Sequence, residues 1–285
     1  MSMKKFVALL LVAVLALTLC ACGGSGDTNK DVKVIDISLT EEDYAFGVKK
    51  GDAELLSKVN AYIAQIKQDG TFDEICDRYF GDGTPVGVTS AKQDASKDQL
   101  IVATNAEFAP FEYMKGNTFY GVDMEIAAGL AQYLGKELVI LHMDFDAVCL
   151  SVSQGKADIA MAGLTVKPDR EEHVTFSETY YKASQKIIVM ETDTTFDNCK
   201  TVEDVEKILA AMPQGTKIGT QNGTTGQKYI KGDADWEFDG FANLECIGYK
   251  NGSLAVQNII NGNCKLVVID EAPAGFITEA LNKLN

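Results

Sequence analysis

Two groups of residues in this chain have the types and spacing to hold a small zwitterion. The first runs from Ala157 to Arg170 and reads Ala-Asp-Ile-Ala-Met-Ala-Gly-Leu-Thr-Val-Lys-Pro-Asp-Arg. It starts as a short apolar strand and loses bulk at Ala162-Gly163, where backbone can approach something small. Thr165 then adds a hydroxyl, and Arg170 adds a planar guanidinium fork that matches a carboxylate. Polar groups at the carboxyl end of a buried strand are where open α/β sheets take ligands. Taken alone, the stretch reads equally as a strand and turn with a surface arginine.

The second group is the turn Gln221-Asn222-Gly223-Thr224-Thr225-Gly226 together with Asp270. The turn has neither GxGxxG nor GxxxxGK[ST] spacing, so it is not a nucleotide motif. It sets backbone amides and the hydroxyls of Thr224 and Thr225 at a helix start, which suits a small carboxylate. The plainer reading is a glycine turn chosen for its backbone angles. Asp270 follows the apolar strand Leu266-Val267-Val268-Ile269, and a buried carboxylate there needs a partner. A ligand ammonium would serve, and so would the amides of the next helix. Phe108 and Phe145 would sandwich an aliphatic side chain or else belong to the core. A zwitterion with one carboxylate and one ammonium would bridge the two groups.

The elements that must position these residues follow from periodicity. Val32 to Ile37 alternates as a strand, and Tyr44 to Val48 is a second extended piece. Leu55, Leu56, Val59, Ile63 and Ile66 share one helical face, which Gly70 stops before a short helix with Ile75 and Tyr79. Gly81 to Asp98 has no periodicity and reads as an exposed linker. A strand–helix rhythm begins at Leu100 to Ala103. It continues through a helix on Val122, Ile126, Leu130 and Leu134, a strand at Leu138 to Leu141 and a helix at Ala147 to Gln154. Lys186 to Met190 is a strand leading elsewhere. A second set starts near Thr201 and ends in a helix on Phe276, Ile277, Ala280, Leu281 and Leu284. Strands alternating with helices predict two parallel sheets, one per lobe.

Composition narrows the function. The 285 residues include 26 basic and 41 acidic ones, for a net charge of −15, which argues against nucleic acid as a partner. Lys4-Lys5 precede the apolar run Phe6 to Leu19, too short for a comfortable membrane span and typical of a signal peptide. Leu19-Cys20-Ala21-Cys22 closes it and resembles a bacterial lipoprotein leader with Cys22 as the lipidated residue. The expected location is therefore extracytoplasmic, anchored to the cell membrane. Beyond the leader stand Cys76, Cys149, Cys199, Cys246 and Cys264, an odd number without a CxxC pair, expected to be mostly buried small apolar residues. His142 and His173 are isolated, so neither a zinc site nor a Ser-His triad is indicated, and no cofactor is implied.

Residues 99–285 resemble the bacterial extracellular solute-binding proteins of the polar amino-acid family, the receptors of ABC importers. The motifs that carry the resemblance are Thr104-Asn105-Ala106-Glu107-Phe108-Ala109-Pro110-Phe111-Glu112-Tyr113, Met143-Asp144-Phe145-Asp146, Ala162-Gly163-Leu164-Thr165 with Pro168-Asp169-Arg170, Phe176-Ser177, Gly219 to Gly226, and Ile269-Asp270. It implies a type II periplasmic-binding-protein-like α/β fold of two lobes with the ligand in the interlobe cleft. It also implies that Arg170, Thr165 and Thr225 bind the ligand's α-carboxylate, and that Asp270 and the Gly163 carbonyl hold its α-amino group. Phe108 and Phe145 would flank the ligand side chain, with Asn105, Gln221 and Asn222 at its tip. The expected partners are a free polar amino acid, glutamine-like or basic, and the permease subunits, with the receptor itself a monomer.

The order of the parts departs from the family. The family continues beyond the helix matching Ala272 to Leu284. Here its closing segments resemble Val34-Ile35-Asp36, Tyr44 to Gly51, Leu55 to Asn60 and Asp69 to Phe80, near the front of the chain. A circular permutation is expected, with Gly81 to Asp98 joining the family's old termini. The expected layout is a signal peptide at 1–21 and a tether at 22–31. Lobe 1 takes 45–187, including the linker 81–98, and lobe 2 takes 188–285 plus 32–44. An amino-acid-type dehydratase on the same fold is the alternative, and would need a further acid–base carboxylate from Glu107 or Glu271. A ligand-sensing domain is a third reading.

Overall fold

The computed structural model describes residues 30–284, so the leader and Cys22 lie outside the described residues. In chain order the strands and α-helices are β1 (Val32–Ile35), β2 (Glu42–Tyr44), β3 (Gly47–Lys49), α1 (Ala53–Gln68), α2 (Thr71–Phe80), β4 (Gln99–Thr104), β5 (Glu107–Phe108), β6 (Glu112–Lys115), β7 (Thr118–Tyr120), α3 (Val122–Leu134), β8 (Glu137–His142) and α4 (Val148–Ser153). There follow β9 (Ile159–Ala160), α5 (Pro168–Glu171), β10 (Val174–Phe176), β11 (Tyr181–Ala183), β12 (Gln185–Met190), α6 (Val202–Ala211), β13 (Thr216–Gln221), α7 (Thr225–Lys231), β14 (Leu244–Tyr249), α8 (Gly252–Ile260), β15 (Leu266–Asp270) and α9 (Glu271–Asn282).

The described chain divides into two compact units: a middle unit, Glu41–Ala183, and a split unit made of the described residues up to Thr40 with those from Ser184 onward. Both crossings fall four residues before the positions expected from sequence. The reason is strand pairing. β2 pairs antiparallel with β11, which keeps both in the middle unit, whereas β12 runs whole within the split unit's sheet.

The middle unit holds a five-stranded sheet in the order β10-β3-β9-β4-β8. β4 runs parallel to β8 and β9, but β3 is antiparallel to β9 and β10, so the sheet is mixed and not the parallel sheet expected. β3 comes from residues 47–49 and reaches its place without a crossover helix, which frees its direction. Tyr44 to Val48 is likewise not one extended piece: β2 and β3 belong to different sheets.

α1 starts where the Asp52 side chain accepts from Leu55 N–H at 2.9 Å. Its buried face is Val59, Tyr62, Ile63 and Ile66, whereas Leu55 and Leu56 are only half-buried. Tyr62 takes their place because Gly129 of α3 has no side chain: a Cβ there would lie 1.9 Å from the Tyr62 hydroxyl. The segment 81–98 is not the exposed linker expected. Val88 is buried and bridges Phe119, and Ala91 N–H donates to the Leu138 carbonyl at 2.9 Å.

The split unit's sheet has the order β1-β12-β15-β13-β14 and is also mixed, with β13 parallel to β14 and β15 while β12 and β1 are antiparallel. β12 is buried on both faces. Ile187 and Val189 pack in one core with Val205, Leu209 and Ile218, and Ile188 packs in the other with Val32, Val256 and Val267. Each such fully buried side chain contributes roughly 1.5–3 kcal/mol over exposure. At the edge, the Asn282 carboxamide accepts from Val32 N–H at 2.9 Å and donates to the Val32 carbonyl at 2.8 Å.

Candidate functional site

In the middle unit, β9 delivers the chain to Ala162-Gly163, and the backbone turns with Gly163 at φ +55°. That conformation favours glycine. A side chain there would also meet Phe108 Cε1 at 2.9 Å and Tyr44 Cε2 at 3.3 Å. Three residues after Thr165, Pro168 begins α5, since its fixed φ suits a first helical position. α5 carries Arg170, which is 7% exposed. The guanidinium donates from Nη1 to the Thr165 carbonyl at 2.8 Å and lies over the Phe145 ring, 5.2 Å from its centre. The structure thus brings Gly163, Thr165, Arg170, Phe108 and Phe145 into one neighbourhood.

Two of the expected roles change in detail. The Thr165 hydroxyl donates to Glu42 Oε2 at 2.5 Å, with both side chains buried. A hydroxyl has one proton, so while it is given to Glu42 it is not available to a ligand carboxylate. Asn105 is fully buried, and its Nδ2 donates to the Met143 carbonyl at 2.8 Å, which fixes its amide against the backbone. Phe108 is 6% exposed and stacks with Phe111, with ring centres 6.1 Å apart.

In the split unit, Gln221 ends β13 and Thr224 caps α7. The Thr224 hydroxyl accepts from Gln227 N–H at 3.4 Å and donates to the Gln221 carbonyl at 2.8 Å, so it serves the turn itself. Thr225 Oγ1 accepts from Gln185 Nε2 at 2.8 Å. Gln185 stands opposite Asp270 in the β12–β15 register, which joins Thr225, Gln185 and Asp270 into one polar group. Asn222 lies outside that group: it is exposed, and its Oδ1 accepts from Gln227. Asp270 is 4% exposed and begins α9 without a side-chain capping bond.

The family model for bacterial extracellular solute-binding proteins, family 3, matches residues 10–82 and 100–243, most of the chain. The chain belongs to that family. The arginine-binding extracellular protein ArtP of Bacillus subtilis is 33% identical over 105 residues, 37% of this chain and 41% of ArtP. A probable histidine-binding protein of Neisseria gonorrhoeae is 28% identical over 173 residues, 60% of this chain and 58% of that protein. The chain thus spans about half the length of these curated relatives. An ancestral arginine-binding protein, solved bound to arginine and bound to glutamine, is 29% identical with TM-scores of 0.53 and 0.51. Each match covers 66% of this chain and 75% of that one. The fold of this family 3 protein is that of the type II periplasmic amino-acid-binding proteins.

Three polar residues that support these groups carried no legible signal. Glu42 sits in the run Glu41-Glu42-Asp43, which reads as solvated surface, yet it is 4% exposed. Gln185 opens an apolar strand and looks like its polar end. Asp123 lies in the first turn of α3, where an acid is ordinary dipole chemistry. Instead it is wholly buried, and that burial pushes its carboxyl up to about 7. Each is an acid or amide beside an apolar run, and only the fold shows which way it points. Glu107 and Glu271, the acids considered for catalysis, differ in placement. Glu107 is half-buried, while Glu271 is exposed and pairs with Lys186 at 3.5 Å.

Proposed function

We propose that this chain is the amino-acid receptor of an ABC importer and works outside the cytoplasmic membrane. The observation that carries the reading is Arg170. A guanidinium held under a threonine carbonyl and over an aromatic ring is built to present its fork to a carboxylate. The ligand is a polar L-amino acid held at both ends: Arg170 on its α-carboxylate, aided by Thr225 and by Thr165 once its hydroxyl turns from Glu42 to the ligand, and Asp270 with the Gly163 carbonyl on its α-amino group. Phe108 and Phe145 flank the side chain. Arginine and glutamine are the first ligands to test, because relatives are named for arginine and histidine and one similar structure holds either arginine or glutamine. Calorimetry with these amino acids tests the reading. Arg170→Ala and Asp270→Ala should each weaken binding by roughly 2–5 kcal/mol, and Lys92→Ala should leave it unchanged. Near-normal affinity in either clamp variant would refute the assignment. Release of product from any amino acid on incubation would favour the dehydratase reading instead.

The same proposal includes the anchor, the permease partner and the order of parts. Cys22 is lipidated, and Cys22→Ala should move the protein from the membrane fraction to the soluble one. The permuted order is supported by the two stretches that match the family, which flank residues 83–99, and by Asn282 holding Val32.

A further inference from the structure

Behind the turn at Gly163 sits the Asp123 carboxylate, with no solvent exposure. Its Oδ2 accepts from Gly163 N–H at 3.0 Å, and its Oδ1 accepts from the Tyr180 hydroxyl at 2.6 Å. Tyr180 is fixed in turn: its N–H donates to the Tyr44 carbonyl at 2.8 Å, and its ring stacks on Phe46 with centres 4.3 Å apart. The next residue opens β11, the strand paired with β2 beside both crossings. One buried carboxylate therefore holds the ligand-site turn at one oxygen and the crossing strands at the other.

We propose that Asp123 is a positioning residue for the amino-acid site, and that its ionisation sets how firmly the Ala162–Gly163 peptide and the β11 end are held together. The inference rests on the receptor reading above. As an anion, Asp123 accepts two charge-assisted bonds, which are about twice as strong as neutral ones. As an acid, it must turn one oxygen into a donor. The Gly163 bond then becomes neutral, or the Tyr180 hydroxyl reverses. A buried anion behind the turn also favours a ligand ammonium on the other side of it.

The surroundings put this change near neutral pH. Burial raises the Asp123 carboxyl to about 7, against the lowering effect of its two hydrogen bonds. The titratable groups facing it are Tyr180, driven far above its usual range by burial, and Cys76 of α2, raised to about 11. Glu112 of β6 lies in the same surroundings, through its effect on Tyr180. His142 and His173 belong to the same unit, so the Asn variant serves as the control. In Asp123→Asn the amide oxygen can still accept from Gly163 and the amide N–H can reach Tyr180, so geometry survives without the charge.

The test is a pH series from 5.5 to 8.5 on full-length protein, with two readouts. One is the 15N–1H resonance of Gly163, and the other is calorimetry with L-arginine. In the wild type the Gly163 resonance should titrate near pH 7, and affinity should tighten roughly tenfold across the series, the difference between a neutral and a charged acceptor. Asp123→Asn should show no Gly163 titration and should keep the wild type's low-pH affinity throughout, without loss of thermal stability. Tyr180→Phe removes a bond that favours the anion, so it should move the midpoint above the wild-type value. The inference is overturned if Gly163 still titrates in Asp123→Asn, or if that variant binds as tightly as wild type at pH 8.5. The Gly163 readout needs no ligand. A protein that binds no amino acid at any pH would refute the receptor reading separately, while the resonance still decides whether Asp123 holds the turn.

Discussion

Gly163 shows how little freedom a single site residue has. Its positive φ and its approach to Phe108 leave no room for a methyl group. Gly163→Ala should strain the turn and push Phe108 aside, weakening amino-acid affinity at least tenfold while the rest of the unit stays folded; calorimetry and circular dichroism would check both halves. Asp123 carries a stability signature of opposite sign to its binding role. An unfolded aspartate releases its proton near 4 and the folded one near 7, so between those values the folded state binds more protons and stability falls as pH rises. Asp123→Asn removes that loss and should raise the melting temperature at pH 8 while leaving it unchanged near pH 4. That Thr165 and Arg170 come together was legible in the sequence, because a helix opened by Pro168 directly after a small-residue turn folds Arg170 back toward Thr165. Glu42, which takes the Thr165 hydroxyl, was not legible, since a glutamate among acids looks solvated whichever way the strand turns it.

The elements that support the site are joined by a few polar clasps, and Glu125 is the strongest candidate to break. From α3 it accepts from Arg78 Nε at 2.8 Å and Tyr79 Oη at 2.6 Å, both on α2, and from Val86 N–H at 3.1 Å. Glu125→Ala takes the carboxylate from a half-buried guanidinium and leaves the buried Tyr79 phenol only its longer bond to the Val86 carbonyl at 3.3 Å, and should cost roughly 2–4 kcal/mol of stability in urea denaturation. Gly129→Leu should loosen the same layer by another route, because α1 could no longer lay Tyr62 against α3. Helices α1 and α2 were visible from periodicity, since most of their buried residues keep the helical repeat. The burial of Tyr62 was not, because it depends on a glycine some 70 positions away. Val88 escaped notice for a related reason: one bridging residue is too short a strand to register as a pattern. The mixed direction of both sheets was also hidden, since an alternation of strands and helices reports crossovers and not the strands that arrive without one.

At the scale of the molecule, the chain crosses between units at residues 40–41 and 183–184, and the split unit is assembled from the two ends of the described chain. If the order of parts is a rotation, a gene that begins near Asp98 and joins Asn285 to Asp31 through a short linker should give a protein with the same arginine affinity and a melting temperature within a few degrees. Loss of folding in that rearranged protein would count against the rotation. The clasp between Val32 and Asn282 has a further consequence, for the timing of assembly. Those residues are 250 positions apart, and β1 pairs with a strand that starts at Gln185. During synthesis the β-branched β1 emerges first and must wait, with its backbone unpaired, until β12 and finally α9 arrive. The middle unit is under no such constraint, because every strand of its sheet lies between Glu41 and Ala183. Refolding should therefore run in two stages, the middle unit first. A chain stopped just before α9 would leave the edge strand as the part most open to a chaperone, a protease or another copy of itself.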